Sequence, residues 1–213
     1  MKPLSEPALR LMEKAGRNKE YWIDPDVLKE HLRLYHLEDS TEILRFQENF
    51  AGLHFQDTVI HIFTPEQIRE RKTVNTYEWK SQTLFPVNNG LYIAENGEIA
   101  VRDCGCHSHD FYYYFERFDT FIGQQAFFEK HRYYKNLPAY SHEITDIKEF
   151  SACLSGYDFL PHCSDKYNLM WKNEINLVHA TCFQDIWSAD IDSISKRNRY
   201  DLINQLTTKD VIQ

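Results

Sequence analysis

The chain has 213 residues, of which 26% are charged, and it carries a formal net charge of −8 at pH 7. A chain of this length suits one elaborated domain or two small ones, and it can bury a core without disulfides or metals. The acidic balance disfavours free nucleic acid as a partner and suits a basic protein partner, although solubility alone also explains it.

Cysteine usage and hydropathy predict a soluble, cytoplasmic protein. The chain has 5 cysteines, an odd number that follows no regular disulfide framework. The N-terminal segment lacks the apolar run of a secretory signal, and no stretch approaches the roughly 18 to 20 apolar residues that span a membrane. We therefore expect reduced thiols and no membrane partner.

Three helices are predicted before residue 53, because apolar residues recur there at the spacing of a buried helical stripe. The clearest start is Asp24-Pro25-Asp26, where Asp24 caps the free backbone donors and proline fits the first helical position. The predicted helices cover residues 6–14, 24–35 and 39 or 40 to 52.

The middle of the chain is predicted to be a sheet preceded by one helix. His54–Phe63 is rich in residues that favour strands, and Thr64-Pro65-Glu66-Gln67 is a capping box that predicts a helix to about Lys72. Asn96-Gly97 lies between two short strands and predicts a hairpin in which both turn positions have positive φ. Further strands are predicted at 84–87, 91–95, 98–103 and 111–118.

Beyond the sheet, Asp119-Thr120 is expected to cap a helix that reaches about Lys135. After Pro138 the pattern predicts a helix capped by Thr145, a strand at 175–180 and a last helix from Asp190 or Asp192. We therefore divide the chain into an α+β domain of residues 1–137 and an extension of residues 138–213 that packs on the same domain.

Several segments between Phe46 and Phe121 follow one another in a particular order. Phe46-Gln-Glu-Asn-Phe-Ala-Gly-Leu53 places an aromatic residue on a helix that runs into a Gly-Leu turn and then a strand. It is followed by Thr64-Pro-Glu-Gln-Ile68, Phe85-Pro-Val-Asn-Asn-Gly-Leu-Tyr-Ile93, Asn96-Gly97 and Arg117-Phe-Asp-Thr-Phe121. In order and spacing these segments resemble the SUKH superfamily of bacterial toxin-immunity proteins. The chain departs from that pattern at Ala51, where the family has the first glycine of a Gly-Gly-Leu-like turn.

The resemblance covers the centre of the chain, from Phe46 to Tyr134, and it implies both a fold and a function. It implies an α+β domain with a curved, mostly antiparallel sheet and helices packed on it. Members of the family are largely non-enzymatic: many bind a toxin, often a nuclease, and block it, and eukaryotic relatives are regulatory or scaffold proteins. The resemblance brings no catalytic residues and no cofactor.

The loop from Cys104 to Asp110, Cys-Gly-Cys-His-Ser-His-Asp, is the densest cluster of possible metal ligands. Structural zinc usually lies between two separated ligand pairs, so ligands this close would need a very tight turn or a second pair from His162-Cys163 or Cys182. A polar loop between two strands is the simpler interpretation, and we predict no metal and no catalytic residue.

Candidate contact residues lie on the last predicted strand of the sheet and beside the Asn96-Gly97 hairpin. Strand alternation places Tyr112 and Tyr114 on one face, which is open to a partner unless the C-terminal extension covers it. Glu95, Glu98 and Asp103 add negative charge beside them, although exposed acids near turns are commonly plain solvated charges.

The sequence therefore predicts a non-enzymatic α+β binding protein whose partner is a basic toxin. One alternative is a metal-dependent enzyme that works from the Cys104–Asp110 loop. Another is a regulatory or scaffold protein on the same fold.

Overall fold

The computed structural model describes residues 4–37, 39–55, 58–87, 90–102, 110–138 and 140–213. The chain is α+β, with antiparallel sheets and helices packed on them, as the sequence predicts. It divides into a first unit, Leu9–Phe118, and a second unit that comprises Asp119–Gln213 and the N-terminal residues up to Ala8. The domain boundary predicted after residue 137 lies inside the second unit. No helix in the described ranges is both long and apolar enough to cross a bilayer.

The first unit contains helices that the sequence predicts well. Asp24 caps the second helix through the backbone N–H groups of Asp26 and Val27, and Thr64 and Gln67 form the predicted capping box. The helices up to this point are α1 (Glu6–Ala15), α2 (Pro25–Leu32), α3 (Thr41–Phe50) and α4 (Pro65–Arg69), with 3₁₀ turns at Lys19–Tyr21 and Arg33–Tyr35.

The predicted strand at His54–Phe63 is wrong in its second half. Among the described residues of this range, β1 (His54–Phe55) and β2 (Thr58–Val59) form a small antiparallel hairpin, and Ile60 continues it with backbone bonds to Leu53 and Gly52. The chain beyond them is buried but bonds to a side chain: Gln47 Oε1 accepts from the N–H groups of Ile62 and Phe63, and Gln47 Nε2 donates to the Phe63 carbonyl. This amide takes the place of a neighbouring strand.

The main sheet of the first unit has five strands in sequence order, all antiparallel. Its first strand was not predicted, because the alternation in Tyr77-Glu78-Trp79 extends over only 3 residues. The strands are β3 (Tyr77–Trp79), β4 (Gln82–Val87), β5 (Leu91–Ala94), β6 (Ile99–Arg102) and β7 (Phe111–Phe115).

The second unit is built on another five-stranded antiparallel sheet, in the order β8-β12-β11-β10-β9. Its strands are β8 (Ser141–Glu143), β9 (Asp158–Phe159), β10 (Asn168–Lys172), β11 (Asn176–Phe183) and β12 (Ile186–Ser193). Its helices are α5 (Phe118–Lys130), which begins at the last residue of the first unit, α6 (Ile147–Cys153) and α7 (Lys196–Thr208), with 3₁₀ turns at Arg132–Asn136 and Pro161–Cys163.

Both faces of this second sheet carry apolar clusters. Trp171 and Val178 belong to a core that includes Phe150 of α6 and Leu202 of α7. Met170 and Leu177, which alternate with them along the strands, pack instead with Phe127 of α5. The predicted last helix from Asp190 or Asp192 is wrong at its start, because those residues pair with β11 and the helix is capped by Ser195.

Candidate partner-binding surface

Three of the segments that carry the resemblance pack together around Glu42 of α3. The Glu42 carboxylate lies 3.2 Å from the guanidinium of Arg117 and 3.4 Å from that of Arg45. Gly97 of the hairpin lies against the same side chain, since a Cβ built at position 97 would be 3.1 Å from Glu42. The acid therefore connects helix, hairpin and the segment that leads into α5.

An aromatic cluster lies beside this ion pair. The ring of Phe118 packs edge-on against Phe46 at 5.0 Å and against Phe50 at 4.8 Å between centroids. All three rings are buried. The aromatic residues of the first and last resemblance-bearing segments are thus in direct contact within the first unit.

The turn after α3 shows why one glycine is required there and another is not. Ala51 has φ −61° and ψ 136°, an extended conformation that any residue adopts. Gly52 has φ +85°, and a Cβ at that position would lie 2.2 Å from the backbone oxygen of Asn18. Alanine therefore fits the backbone at position 51, whereas position 52 needs glycine.

The Asn96-Gly97 hairpin forms at the predicted place but with a different turn. The backbone N–H of Gly97 donates to Ala94, that of Ala94 donates to Glu98, and of the turn residues only Gly97 has positive φ. A longer turn that ends in a left-handed glycine replaces the predicted two-residue turn. The prediction that both positions have positive φ was therefore wrong.

The two acids of this hairpin are held by internal hydrogen bonds. Glu95 Oε1 accepts from the backbone N–H of Thr83 on the neighbouring strand, at 2.9 Å. Glu98 is only 7% exposed, and its Oε2 accepts from the side-chain amide of Asn96 at 3.0 Å. Both carboxylates therefore stabilise the turn, and Glu98 offers little surface to a partner. Asp103 lies outside the described residues.

A β-bulge interrupts the alternation of side chains along β7. Ile99 pairs with Phe115 and Ala100 with Tyr113, so Tyr114 is the extra residue of the bulge. Tyr112 pairs with Val101, on the face that Phe85 turns toward Phe63 and Tyr35. Simple alternation along β7 therefore fails at the bulge: Phe115 lies on the face of Tyr112 and not on the face of Tyr113, and the pairing assigns no face to Tyr114.

The opposite face of this sheet carries a layer of aromatic rings, which we call the aromatic layer. It lies on Leu84, Ala94 and Ala100, small or aliphatic residues that are buried. The rings contact one another with centroid distances of 4.8 Å to 6.3 Å, and Arg102 lies over the Tyr77 ring at 5.5 Å. The layer consists of buried Phe111 and half-buried Tyr77, Trp79, Tyr92 and Tyr113.

Sequence reasoning missed most of the aromatic layer, because the pairs of large and small residues that build it depend on the register of the sheet. Tyr92 and Ala100 pair directly, so a large ring on one strand faces a small residue on the next. The Trp79 indole N–H is buried without a hydrogen-bond partner among the described residues.

The Cys104–Asp110 loop lies outside the described residues except for Asp110, so the structure adds nothing to its interpretation. Within the described ranges, no three His, Cys, Asp or Glu side chains lie close enough to hold a metal ion. Cys153, Cys163 and Cys182 are free thiols, and burial raises the pKa of Cys163 to about 12. Cys163 is therefore a structural thiol and not a nucleophile.

One histidine of the second unit, His179, lies among several polar side chains. His179 Nε2 lies 3.4 Å from the hydroxyl of Thr181 and 3.1 Å from the amide oxygen of Asn168. Burial lowers the pKa of His179 to about 4, so the ring is neutral at pH 7. Nε2 also lies 3.4 Å from the amide nitrogen of Gln124, which can only donate, so a donor and an acceptor compete for this ring nitrogen and its polar neighbours do not fix the tautomer.

No protein-family model, curated protein or solved structure matches the chain. The candidate surface therefore rests on the geometry of this chain alone.

Proposed function

We propose that the protein is a non-enzymatic binding protein of the SUKH type, an immunity protein that neutralises a toxin by binding it directly. The partner is a basic protein, and a nuclease fits that description because enzymes that bind nucleic acid carry basic surfaces. The protein uses no cofactor in this role.

The packing around Glu42 carries the proposal. The resemblance predicts a helix with an aromatic residue, a glycine turn, a polar hairpin and an aromatic closing segment, in that order. In the first unit Phe46, Gly97 and Phe118 belong to one packed cluster that Glu42 and Arg117 complete. Segments separated by many residues in sequence thus form the same small core, which supports a common architecture over a chance series of short motifs.

The aromatic layer is the contact surface that we propose for the toxin. Tyrosine and tryptophan combine a large contact area with one polar group, and they are enriched at the centres of protein interfaces. The net charge of −8 suits a basic partner and speeds the encounter.

Co-expression with the toxic domain encoded beside this gene tests the proposal. We expect cells to survive and the two proteins to purify as a complex. Tyr113→Ser should weaken the complex, whereas Tyr200→Ser, which changes an exposed tyrosine of the second unit, should not. Survival without a complex would reject direct binding, and a complex that leaves the toxin active would favour a regulatory or scaffold role.

The contribution of charge is tested by kinetics. If the acidic surface steers the encounter, raising the salt concentration slows association and leaves dissociation nearly unchanged. An association rate that does not depend on salt would show that charge does not steer the encounter. It would not bear on the proposed aromatic contact.

Zinc analysis separates this proposal from the enzyme alternative. We expect less than one tenth of a zinc ion per chain, on the order of what a protein without a site retains adventitiously. One zinc per chain that is lost when Cys104 and Cys106 are both changed to serine would instead favour a metal site in that loop. The matched control changes Cys153 and Cys182 to serine.

A further inference from the structure

Asn96 and Gly97 form a dipeptide that is chemically unstable in an open chain. Asparagine is among the thermolabile residues, and it is most reactive before glycine, whose missing side chain leaves the next backbone nitrogen accessible. That nitrogen attacks the side-chain carbonyl carbon of the asparagine. Asn96 is exposed, so water reaches it and burial does not protect it. Any protection must therefore come from the hydrogen bonds of the turn.

The reaction exchanges the side-chain amide for a carboxylate. The backbone nitrogen of Gly97 forms a bond to Cγ of Asn96, and ammonia leaves with the side-chain nitrogen and the proton of the Gly97 N–H. Water then opens the cyclic imide at either carbonyl and returns a proton to the Gly97 nitrogen, which leaves aspartate or isoaspartate at position 96. The overall change consumes water, releases ammonia and needs no enzyme or oxidant.

The turn holds the attacking nitrogen in place. The backbone N–H of Gly97 donates to the Ala94 carbonyl at 2.8 Å, and the N–H of Ala94 donates to the Glu98 carbonyl, also at 2.8 Å. For the attack, the peptide plane between Asn96 and Gly97 must rotate until the face of the nitrogen meets the side-chain carbon. That rotation breaks the hydrogen bond between Gly97 and Ala94.

The side chain that would be attacked is held as well. Asn96 Oδ1 accepts from the backbone N–H of Glu98 at 3.1 Å, and Asn96 Nδ2 donates to Glu98 Oε2 at 3.0 Å. The backbone N–H of Asn96 donates to Gln82 Oε1 on the neighbouring strand, at 3.2 Å. Since both polar atoms of the amide are bonded to Glu98, the amide cannot rotate without losing hydrogen bonds.

We propose that Asn96 is a spontaneous deamidation site that the Asn96-Gly97 hairpin controls. The closed hairpin keeps the amide unreactive, and opening of the hairpin releases it for reaction. The product then disfavours closure, because aspartate at position 96 has no N–H for Glu98 and places a second carboxylate beside that 7% exposed acid. Deamidation at this position therefore marks chains whose first unit has opened. The inference does not depend on the toxin.

Peptide mapping by mass spectrometry measures the reaction. The native protein and the protein unfolded in guanidinium chloride are incubated at the same mildly alkaline pH, and fragment spectra separate Asn96 from Asn89, which also precedes a glycine. Asn96 should react at least about tenfold more slowly in the native protein, a factor that corresponds to about 1.4 kcal/mol and lies within the range for one hydrogen bond. Equal rates in the two samples would overturn the inference.

A variant with a looser turn tests whether the hydrogen bonds of the hairpin are responsible. Glu98→Ala removes the acceptor of the Asn96 amide but leaves the Asn-Gly sequence unchanged, so Asn96 should react faster in this variant under native conditions. Glu66→Ala changes an exposed glutamate of α4 and should leave the rate unchanged. An unchanged rate in folded Glu98→Ala would count against control by the hairpin. If Glu98→Ala does not fold, the comparison of native and unfolded protein still decides the matter.

The effect of the product is tested with Asn96→Asp, which reproduces its charge. The midpoint of urea unfolding should be lower for this variant than for the native protein. Adding Asn96→Asp to Glu98→Gln should cost much less, because glutamine at position 98 can donate to the new carboxylate. Asn96→Asp with the midpoint of the native protein would overturn the claim that the product disfavours closure. None of these results bears on toxin neutralisation, which co-expression measures separately.

Discussion

Gly123 of α5 lies directly against the backbone carbonyl of His162. A Cβ built at position 123 would be 2.2 Å from that oxygen and 3.2 Å from its carbon. The same contact region includes the buried thiol of Cys163, whose Sγ lies 3.5 Å from the Gly123 carbonyl oxygen. The helix and the 3₁₀ turn at Pro161–Cys163 therefore approach each other backbone to backbone.

Gly123→Ala should destabilise the protein strongly, against the trend of helix propensity. Alanine in a helix interior is favoured over glycine by about 1 kcal/mol. The clash is with backbone and cannot be relieved by a rotamer change, so we expect a net loss of roughly 2 to 4 kcal/mol in the free energy of unfolding.

The matched control for this substitution is Gly156→Ala. Gly156 has no atom within 4 Å of an added Cβ and no positive φ. Urea unfolding should show a change within about 0.5 kcal/mol for this variant. Equal effects of the two substitutions would show that the close approach at Gly123 does not exist in solution.

Gly52→Ala should be more destabilising than Gly16→Ala, although both glycines have positive φ. Gly16 has φ +70° and open space around it, so alanine there incurs only the left-handed conformation, roughly 1 to 2 kcal/mol. Gly52 adds the contact with the Asn18 carbonyl at 2.2 Å, and we expect the loss to exceed that of Gly16→Ala by at least about 1 kcal/mol.

Thermal unfolding of the two alanine variants side by side measures this difference. A Gly52→Ala protein as stable as Gly16→Ala would mean that the turn after α3 is more open than the structure indicates. It would also weaken the physical case for the glycine that the chain shares with the SUKH pattern.

Gln47→Met should destabilise the first unit by roughly 2 to 4 kcal/mol. Methionine conserves the volume of the side chain but removes the bonds to Ile62 and Phe63, which leaves backbone groups buried and unsatisfied. Gln47 is only 2% exposed, so water cannot replace them easily. Gln205→Met on the exposed face of α7 is the control, and guanidinium unfolding should detect no more than about 0.5 kcal/mol for it.

Local capping and turn signals predicted the helices and the hairpin because the hydrogen bonds that form these features join residues close in sequence. The capping box at Thr64 and Gln67 and the cap at Asp24 both formed where their side chains can reach backbone donors. The strand pattern of His54–Phe63 failed because Gln47, distant in sequence, satisfies the backbone of residues 62 and 63. A pattern within the segment carries no information about that partner.

The candidate surface was harder to predict for the same reason. Alternation along β7 is a local rule, but the bulge depends on how β6 pairs with β7, and it places Phe115 on the face opposite to Phe111 and Tyr113. Glutamate usually lies on the surface, but Glu98 is buried and accepts a hydrogen bond from the side chain of Asn96. The sequence indicated an aromatic strand, but which of its rings share a face required the register of β6 and β7.

Stability should rise with pH between about pH 4 and 6.5, and His179 should contribute most to that rise. Its pKa is about 4 in the folded protein against 6.5 for an ordinary histidine, mainly because it is buried, so the unfolded chain binds the proton more tightly in this range. The stability that the neutral His179 ring contributes is fully present above the pKa of the unfolded chain. It is lost as pH falls toward the pKa of the folded protein, a total of roughly 3 kcal/mol.

Other buried groups also titrate in this range. Burial lowers the pKa of His31, His61 and His131, which act in the same direction as His179. The pKa of Asp192 is raised by burial, so this carboxyl acts in the opposite direction.

Urea unfolding of the native protein and of His179→Gln at a series of pH values measures the contribution of His179. The slope of the unfolding free energy against pH should be lower in the variant by up to about 1.4 kcal/mol per pH unit. Identical slopes would show that His179 is hydrated and not buried.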